Sequence, residues 1–363
     1  MMWMILFLVL PLAGLAYVGW HVYTLLPLPA VWRWVIVALG VASFLLIFMN
    51  FARTTDRLPL WLARCVYNVG NSSIFVLLYM FMLFIVLDVL RLVRIVPSAW
   101  LHNNWWTAAG VLVLIGGIFV YGNLHYMHKV RQPLTLHTDK PLTKPVKLVM
   151  ASDLHLGYHN PRHELARWVD LMNEEHADAI LIAGDIIDGS IRPLTEEQMA
   201  QEFRRLNAPV YACLGNHEYY SGEPEAQRFY QEAGIHLLQD AATAVGDLCV
   251  IGRDDRTNRH RKALGKIMAE TSDSLKQKYM ILLDHQPYHL EQAERQGIDF
   301  QFSGHTHHGQ VWPISWITDM VYECAFGAHQ RGRTHYYVSS GLGIWGGKYR
   351  IGTRSEYIVA TVE

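Results

Sequence analysis

The sequence predicts an all-α, four-helix transmembrane domain followed by an α/β domain built on a layered sheet. Three observations predict it. Long apolar runs fill the first 125 residues. From Val146 short β-rich runs alternate with helical ones. Five segments rich in Asp, Asn and His each follow a hydrophobic run between residues 153 and 307. The divisions read as 1–125 for the spans, 126–145 for a linker and 146–363 for the α/β domain.

Composition narrows the class. Hydrophobic residues make up 51% of the 363 residues and charged ones 17%, an apolar balance concentrated in the first third. A formal net charge of −1 gives no global reason to bind nucleic acid, and no such partner is expected. The 4 cysteines show no CxxC spacing, which argues against a disulfide framework or a zinc knuckle.

Four stretches, near 3–25, 31–51, 73–93 and 105–124, are apolar over the roughly 20 residues a bilayer crossing needs. The first lacks a basic start and a small-residue cleavage site, so it reads as a span rather than a signal peptide. Trp20, Tyr23, Trp32, Trp34, Trp100, Trp105, Trp106 and Tyr121 collect at span ends, where aromatic rings sit at headgroup depth. With both termini inside, Arg53, Arg57, Arg64, Lys129, Arg131, Lys140 and Lys144 are cytoplasmic and only Arg33, Arg91 and Arg94 lie outside, which favours a cytoplasmic α/β domain. Asp88 is expected to pair with Arg91 three residues on. Residues 54–71 read either as a helix lying on the membrane or as a loop. Pro133, Pro141 and Pro145 stiffen the 126–145 linker.

In the second half each strand-like run leads to a candidate ligand. Residues 147–151 lead to Asp153 and His155, residues 179–183 to Asp185 and Asp188, and residues 210–214 to Asn216 and His217. Residues 280–283 lead to His285, and residues 300–302 to His305 and His307. Residues 162–175 carry Leu165, Trp168, Val169 and Met172 at helical spacing, and 336–339 and 357–361 are closing strands. Loops at the C-terminal ends of neighbouring strands converge on one rim of a layered α/β sheet.

Carboxylate oxygen together with imidazole nitrogen suits two divalent metal ions. Mn²⁺ is expected, with Zn²⁺, Fe²⁺ and Mg²⁺ as alternatives. Such a pair activates a water and clamps the phosphate it attacks. Asp185, central in the series, is the expected bridging carboxylate, and Asn216 adds an oxygen without charge. His217 follows at once and reads as the proton donor to the leaving oxygen, or as a hydrogen-bond donor to a phosphate oxygen.

Taken together, Asp153-x-His155, Gly184-Asp185-x-x-Asp188, Gly215-Asn216-His217-Glu218, an isolated His285 and Gly304-His305-x-His307 resemble the signature of the calcineurin-like metallophosphoesterase superfamily. The likeness covers roughly residues 146–363 and is similar to the bacterial membrane-linked phosphodiesterase-type branch. The resemblance implies a four-layer αββα sandwich. It also implies one metal on Asp153, His155, Asp185 and His307, a second on Asp185, Asn216, His285 and His305, and His217 as the acid. The expected protein is then a multi-pass enzyme of a bacterial inner membrane that hydrolyses a phosphate ester or pyrophosphate bond. Its expected partners are the lipid bilayer and a membrane lipid or lipid-linked phosphate substrate. A metal-binding scaffold without turnover is the alternative, and retention of His217 weighs against it.

Residues outside the ligand set carry expectations too. Asp188 is expected to orient a ligand and Asp284 to serve a turn or a similar orienting role. His308 stands where that branch commonly has Gly, and would reshape the substrate rim. Arg331 and Arg333 are candidates to grip a second phosphate, as are Lys348 and Arg350, against the plainer reading of solvated loops. Residues 311–322 could pack as core, line an acyl-chain groove or meet the membrane. The run 256–278, with Arg256, Arg259, Arg261, Lys262 and Lys266, is either a basic cap or a solvated helix face.

Overall fold

Strand Val146–Ala151 shows how this sequence builds its layers. Leu148 and Met150 point to one side and Val149 and Ala151 to the other, and all four are buried. A strand covered on both faces loses the usual apolar–polar alternation. The computed structural model describes residues 2–363, with side chains from Leu10 onward. The chain forms two compact units, one running to Asn123 and including Gly346–Lys348, the other holding Leu124–Trp345 and Tyr349–Glu363.

The first unit holds α1 (Met2–Leu25), α2 (Ala30–Phe51), α3 (Leu60–Leu92) and all but the last turn of α4 (Trp105–Met127). Among the described residues three helices, α2, α3 and α4, are long and apolar enough to cross a membrane. The expected span at 3–25 coincides with α1, whose side chains before Leu10 lie outside the described residues. The segment 54–71 is neither a separate surface helix nor a plain loop. Thr54–Arg57 makes one 3₁₀ turn and α3 starts at Leu60, directly after Pro59, whose fixed φ suits a helix entry. Asp88 meets Arg91 at 3.3 Å as expected, and also takes a hydrogen bond from the Tyr17 hydroxyl at 2.7 Å.

Two six-stranded sheets make the second unit. The first has the order β1-β12-β2-β3-β4-β5 and the second β10-β11-β9-β8-β7-β6. In chain order the strands are β1 (Lys129–Leu136), β2 (Val146–Ala151), β3 (Ala179–Ala183), β4 (Val210–Cys213), β5 (Ile235–Leu237) and β6 (Ala241–Val245). They continue with β7 (Leu248–Gly252), β8 (Tyr279–Leu283), β9 (Phe300–Ser303), β10 (Gly327–Arg331), β11 (Thr334–Val338) and β12 (Ser355–Val362).

Between the sheets Leu148, Met150, Leu181, Val250, Ile281, Phe302 and Ile358 form one core. On the outer face of the first sheet, Val149, Ile180 and Ile182 pack with Trp168, Met172 and Tyr230 from helices. Cys249, Met280 and Leu282 do the same on the second with Leu264, Ile267 and Ala293. Helix, sheet, sheet and helix give the four-layer αββα sandwich.

The expected linker contains an element that composition hid. Lys129–Leu136 is strand β1, paired in parallel with the whole of β12. Pro133 is tolerated because β1 is an edge strand, where a missing N–H leaves no ladder bond unmade. The strand is pinned by Arg131, which reaches the buried Glu175 through two nitrogens at 2.7 and 3.0 Å. Hydrogen bonding from Arg131, opposed by burial and reinforced by Lys147, holds the Glu175 carboxyl below its usual range.

A carboxyl shifted down in the folded state stabilises above its unfolded pKa, and the contribution disappears as pH falls through the folded value. Glu175→Ala is therefore expected to cost about 1 kcal/mol near pH 7 and almost nothing near pH 3. Thermal unfolding of both proteins at the two pH values measures this.

Candidate metal centre

The five ligand loops leave the C-terminal ends of β2, β3, β4, β8 and β9, three in one sheet and two in the other. The site therefore straddles the rim where the two sheets meet. Their turns are tight. Asp153, His155, Asp185, His305 and His307 all have positive φ, between 45° and 70°. For residues with a Cβ that backbone costs of order 1–3 kcal/mol each and persists only where surroundings impose it. Gly184 shows how close the loops come, since a Cβ there would stand 2.7 Å from the Gly215 nitrogen and 2.9 Å from His285 Nδ1. At Gly304 it would fall on the Asp153 carboxylate.

Three overlapping groups of ligand atoms result, each gathered within 4.8 Å: Asp153, His155 and His307; His155, Asp185 and His217; Asp185, His285 and His305. His155 Nε2 lies 3.1 Å from His307 Nε2, 3.6 Å from Asp185 Oδ2 and 3.8 Å from Asp153 Oδ1. His307 Nε2 is 3.5 Å from Asp153 Oδ1, and His285 Nε2 is 3.1 Å from Asp185 Oδ2.

The donors fit cations. His285 Nδ1 donates to the Ala183 carbonyl at 2.7 Å, which turns Nε2 toward Asp185 and the other donors. That Nε2 is buried and makes no hydrogen bond despite its nearness to Asp185, and Asn216 Oδ1 is likewise buried without a partner. Buried polar atoms left unpaired cost several kcal/mol unless something else satisfies them. Here both are aimed among carboxylates and imidazoles, the donor set of a divalent metal.

Charge interactions shape the cluster. Burial disfavours the ionised Asp153 and Asp185, yet neighbouring imidazoles, His307 for the first and His285 for the second, hold both carboxyls below their usual range. Burial pulls His305 down to about 4, helped by repulsion from His285, so its ring keeps a lone pair to offer. His155 goes the other way, to about 10, because hydrogen bonds to Asp153 and Asp188 overcome its burial.

Surrounding residues hold the ligands in place. Asp188 Oδ1 accepts from His155 Nδ1 at 3.2 Å, the orienting contact expected of it. The His305 backbone N–H reaches both Asp153 oxygens at 3.0 and 3.1 Å. His217 donates from Nδ1 to the Asp188 carbonyl at 3.0 Å, while its backbone N–H binds Asp185 Oδ1 at 2.9 Å. That leaves the His217 Nε2 edge unassigned on a ring that remains partly exposed.

Two residues have positioning roles that the sequence did not show. Glu218, quoted there only as part of a motif, is fully buried and accepts the backbone N–H groups of Asp185, Ile187 and Gly215 at 2.7–3.0 Å. It ties the β3 and β4 loops together. Burial, followed by repulsion from Asp185, raises its carboxyl to about 7. Its place three residues after the helix-capping Gly215, whose N–H it accepts, was its legible signal.

Arg350 is neither a solvated residue nor a phosphate grip. It is the largest fully buried side chain among the described residues, and it donates to the His307 carbonyl at 2.7 Å, the Ser355 hydroxyl at 3.2 Å, the Gly343 carbonyl at 3.2 Å and the Ser340 carbonyl. Burial draws its pKa down to about 10, against the attraction of Asp153.

Other expected substrate contacts are not brought to the cluster. Arg331 spends its guanidinium on Glu294 at 2.6 Å and Glu323 at 2.9 Å. Arg333 sits in the β10–β11 turn. Because β11 runs parallel to β9, with His335 opposite Phe300 and Val338 opposite Ser303, that turn lies at the opposite end of the sheet from His305. His308 stacks on Phe326 at 4.8 Å and meets Asp319 at 3.4 Å, and it is in none of the ligand groups.

In the basic run, Arg261 joins Arg253 on Asp284, at 3.2 and 3.1 Å, so Asp284 serves as a counterion. Of residues 311–322, Val311 is buried, but most of the segment does not pack as core. It includes the helix Ile314–Val321, on which Trp316, Ile317, Met320 and Val321 are 59, 54, 78 and 57% exposed on one face.

Arg350→Met would leave several buried carbonyls without donors beneath His307, at about 1–3 kcal/mol per unpaired group before relaxation. We expect the variant to unfold at lower temperature and to bind metal more weakly, whereas Lys348→Met should do neither; thermal unfolding and metal titration of both check this.

Comparison with known proteins agrees with this geometry. Residues 146–309 match the family model described as calcineurin-like phosphoesterase. An uncharacterized metallophosphoesterase of Aquifex aeolicus is 30% identical over 266 residues, 70% of this chain and 98% of that one. One from Campylobacter jejuni is 28% identical over 69% of this chain and 68% of its own. A zebrafish transmembrane protein with a metallophosphoesterase domain is 27% identical over 353 residues, covering 90% of this chain and 79% of its own. That extent takes in much of the apolar half as well.

Proposed function

Because the chain belongs to the calcineurin-like metallophosphoesterase family, we propose that it hydrolyses a phosphate ester or pyrophosphate bond in a membrane-associated or lipid-linked substrate, with two divalent cations and His217 as general acid. That it is a metal-dependent phosphoester hydrolase follows from the family itself. The observation carrying the two-cation reading is the overlap of the ligand groups, which share His155 and Asp185. Asp153, His155, Asp185 and His307 would hold one ion, and Asp185, Asn216, His285 and His305 the other. Mn²⁺ is the favoured ion over Zn²⁺, Fe²⁺ and Mg²⁺, given imidazole and carboxylate donors without thiolate. Bound there, such ions supply charge neutralisation for the phosphate and lower the pKa of water.

The chain's own residues do the rest. Asp188 fixes the His155 ring, and Glu218 fixes the loop carrying Asp185. His217, held through Nδ1 by the Asp188 carbonyl, presents Nε2 to deliver a proton to the leaving oxygen. His217 is also near enough to His155 and Asp185 to serve as a ligand. Its partial exposure and its occupied Nδ1 favour the acid role. His217→Ala should lower kcat by about 10²–10⁴-fold on p-nitrophenyl esters with Mn²⁺, with both metals retained. Loss of metal from the variant, read by elemental analysis, would make His217 a ligand instead.

The lipid-linked part of the reading rests on the apolar helices and on the exposed face of Ile314–Val321, which begins a few residues after His307. Exposed Trp with aliphatic neighbours suits an acyl chain or a headgroup layer. The distribution of Lys and Arg supports placing this domain on the cytoplasmic side of a bacterial inner membrane. Replacing Trp316, Ile317 and Met320 with Ser should reduce kcat/KM at least tenfold for a phospholipid substrate in vesicles and leave a water-soluble ester unchanged. Equal loss on both substrates would remove the lipid reading.

A further inference from the structure

Residues 253–262 follow β7 and lie against the loop that carries His285. Asp255 anchors them, accepting from the Gln286 amide with both oxygens at 3.0 Å. The same carboxylate takes the Thr257 backbone N–H at 2.8 Å, and the Asp255 carbonyl takes that of Asn258 at 3.1 Å. Arg256 therefore projects from a turn fixed on both sides and one residue from a contact to the ligand loop.

Most cations of this segment are spent. Arg253 and Arg261 hold Asp284, and Lys262 holds Glu270 at 2.6 Å. Arg256 differs. Among the described residues it pairs with no carboxylate, and its guanidinium lies over the Tyr288 ring, 4.1 Å from the centroid. Tyr288 donates its hydroxyl to that of Tyr322 at 3.1 Å, with the rings 4.8 Å apart. Tyr322 in turn meets the edge of ligand His305, at 6.3 Å and 73°. A continuous wall thus runs from a metal ligand through two tyrosines to a partly exposed cation.

Stacking on an aromatic face holds a guanidinium flat while leaving its N–H edge directed outward. That edge matches two oxygens of a phosphate, which a lysine in the same place would meet only as a point charge. The metals answer the charge of the reacting phosphate, so a separate, prepositioned cation along the wall has a different anion to meet.

We propose that Arg256, seated on Tyr288, binds a second phosphate on the same substrate molecule, making the preferred substrates pyrophosphate-linked or doubly phosphorylated compounds. The inference rests on the phosphoester reading above and narrows its substrate class.

Titration calorimetry on the Mn²⁺-loaded full-length protein tests it without turnover, using methylphosphonate with one anionic group and methylene- and propane-1,3-diphosphonate with two. Arg256→Gln is expected to weaken at least one diphosphonate about tenfold and to leave methylphosphonate within about twofold, and Arg256→Lys should recover part of the loss. If all three ligands weaken alike, or none does, Arg256 only packs on Tyr288 and the proposal fails. If methylphosphonate does not bind the loaded wild-type protein, the phosphoester reading fails with it.

Discussion

Two carboxylates, Asp153 and Asp185, are buried within reach of the same histidines, and the rest of the second unit is organised around making that tolerable. Buried like charges repel strongly in a medium that screens poorly. Left alone, the two groups would be neutral or would open the fold to water. Imidazoles on every side reverse that preference, and they come from both sheets. The site is therefore also a clasp across the rim of the sandwich.

The clasp needs a stiff frame. Its loops carry a run of left-handed Asp and His residues that no local preference would hold together. Strands buried on both faces supply the rigidity. Glu218 and Arg350 convert it into position, one by collecting backbone N–H groups and the other by collecting carbonyls. Each is a buried polar side chain bonded mainly to the main chain, so each fixes the path of a loop. This is why the ligands can be aimed at something other than one another.

The apolar helices and the α/β unit have different physical tasks. Helix α4 ends at Met127 and β1 begins at Lys129. A strand in place of a flexible linker means that the segment after α4 is committed to the sheet, pinned by Arg131 on Glu175. The helix Ile314–Val321 follows the His305–His307 loop in the chain and carries an exposed apolar face, while Arg256 stacks on Tyr288, three residues after His285.

The amino-acid order alone showed the candidate metal donors and the strands before them, because carboxylate, amide and imidazole groups are chemistry a single residue carries and a doubly covered strand must be apolar; both requirements act on single residues. It determined the apolar helices for the same reason. What it left open are matters of pairing. Lys129–Leu136 is a strand only because β12 lies beside it, and α3 absorbs residues 60–71 because Pro59 starts a helix that nothing then interrupts. Arg331, Arg350 and Arg256 are the same residue type in similarly basic or glycine-rich surroundings. One became an ion pair, one a buried brace and one a cation stacked on a ring, and only the tertiary structure could assign them, since a guanidinium's role is set by which acceptors the fold brings within hydrogen-bond reach.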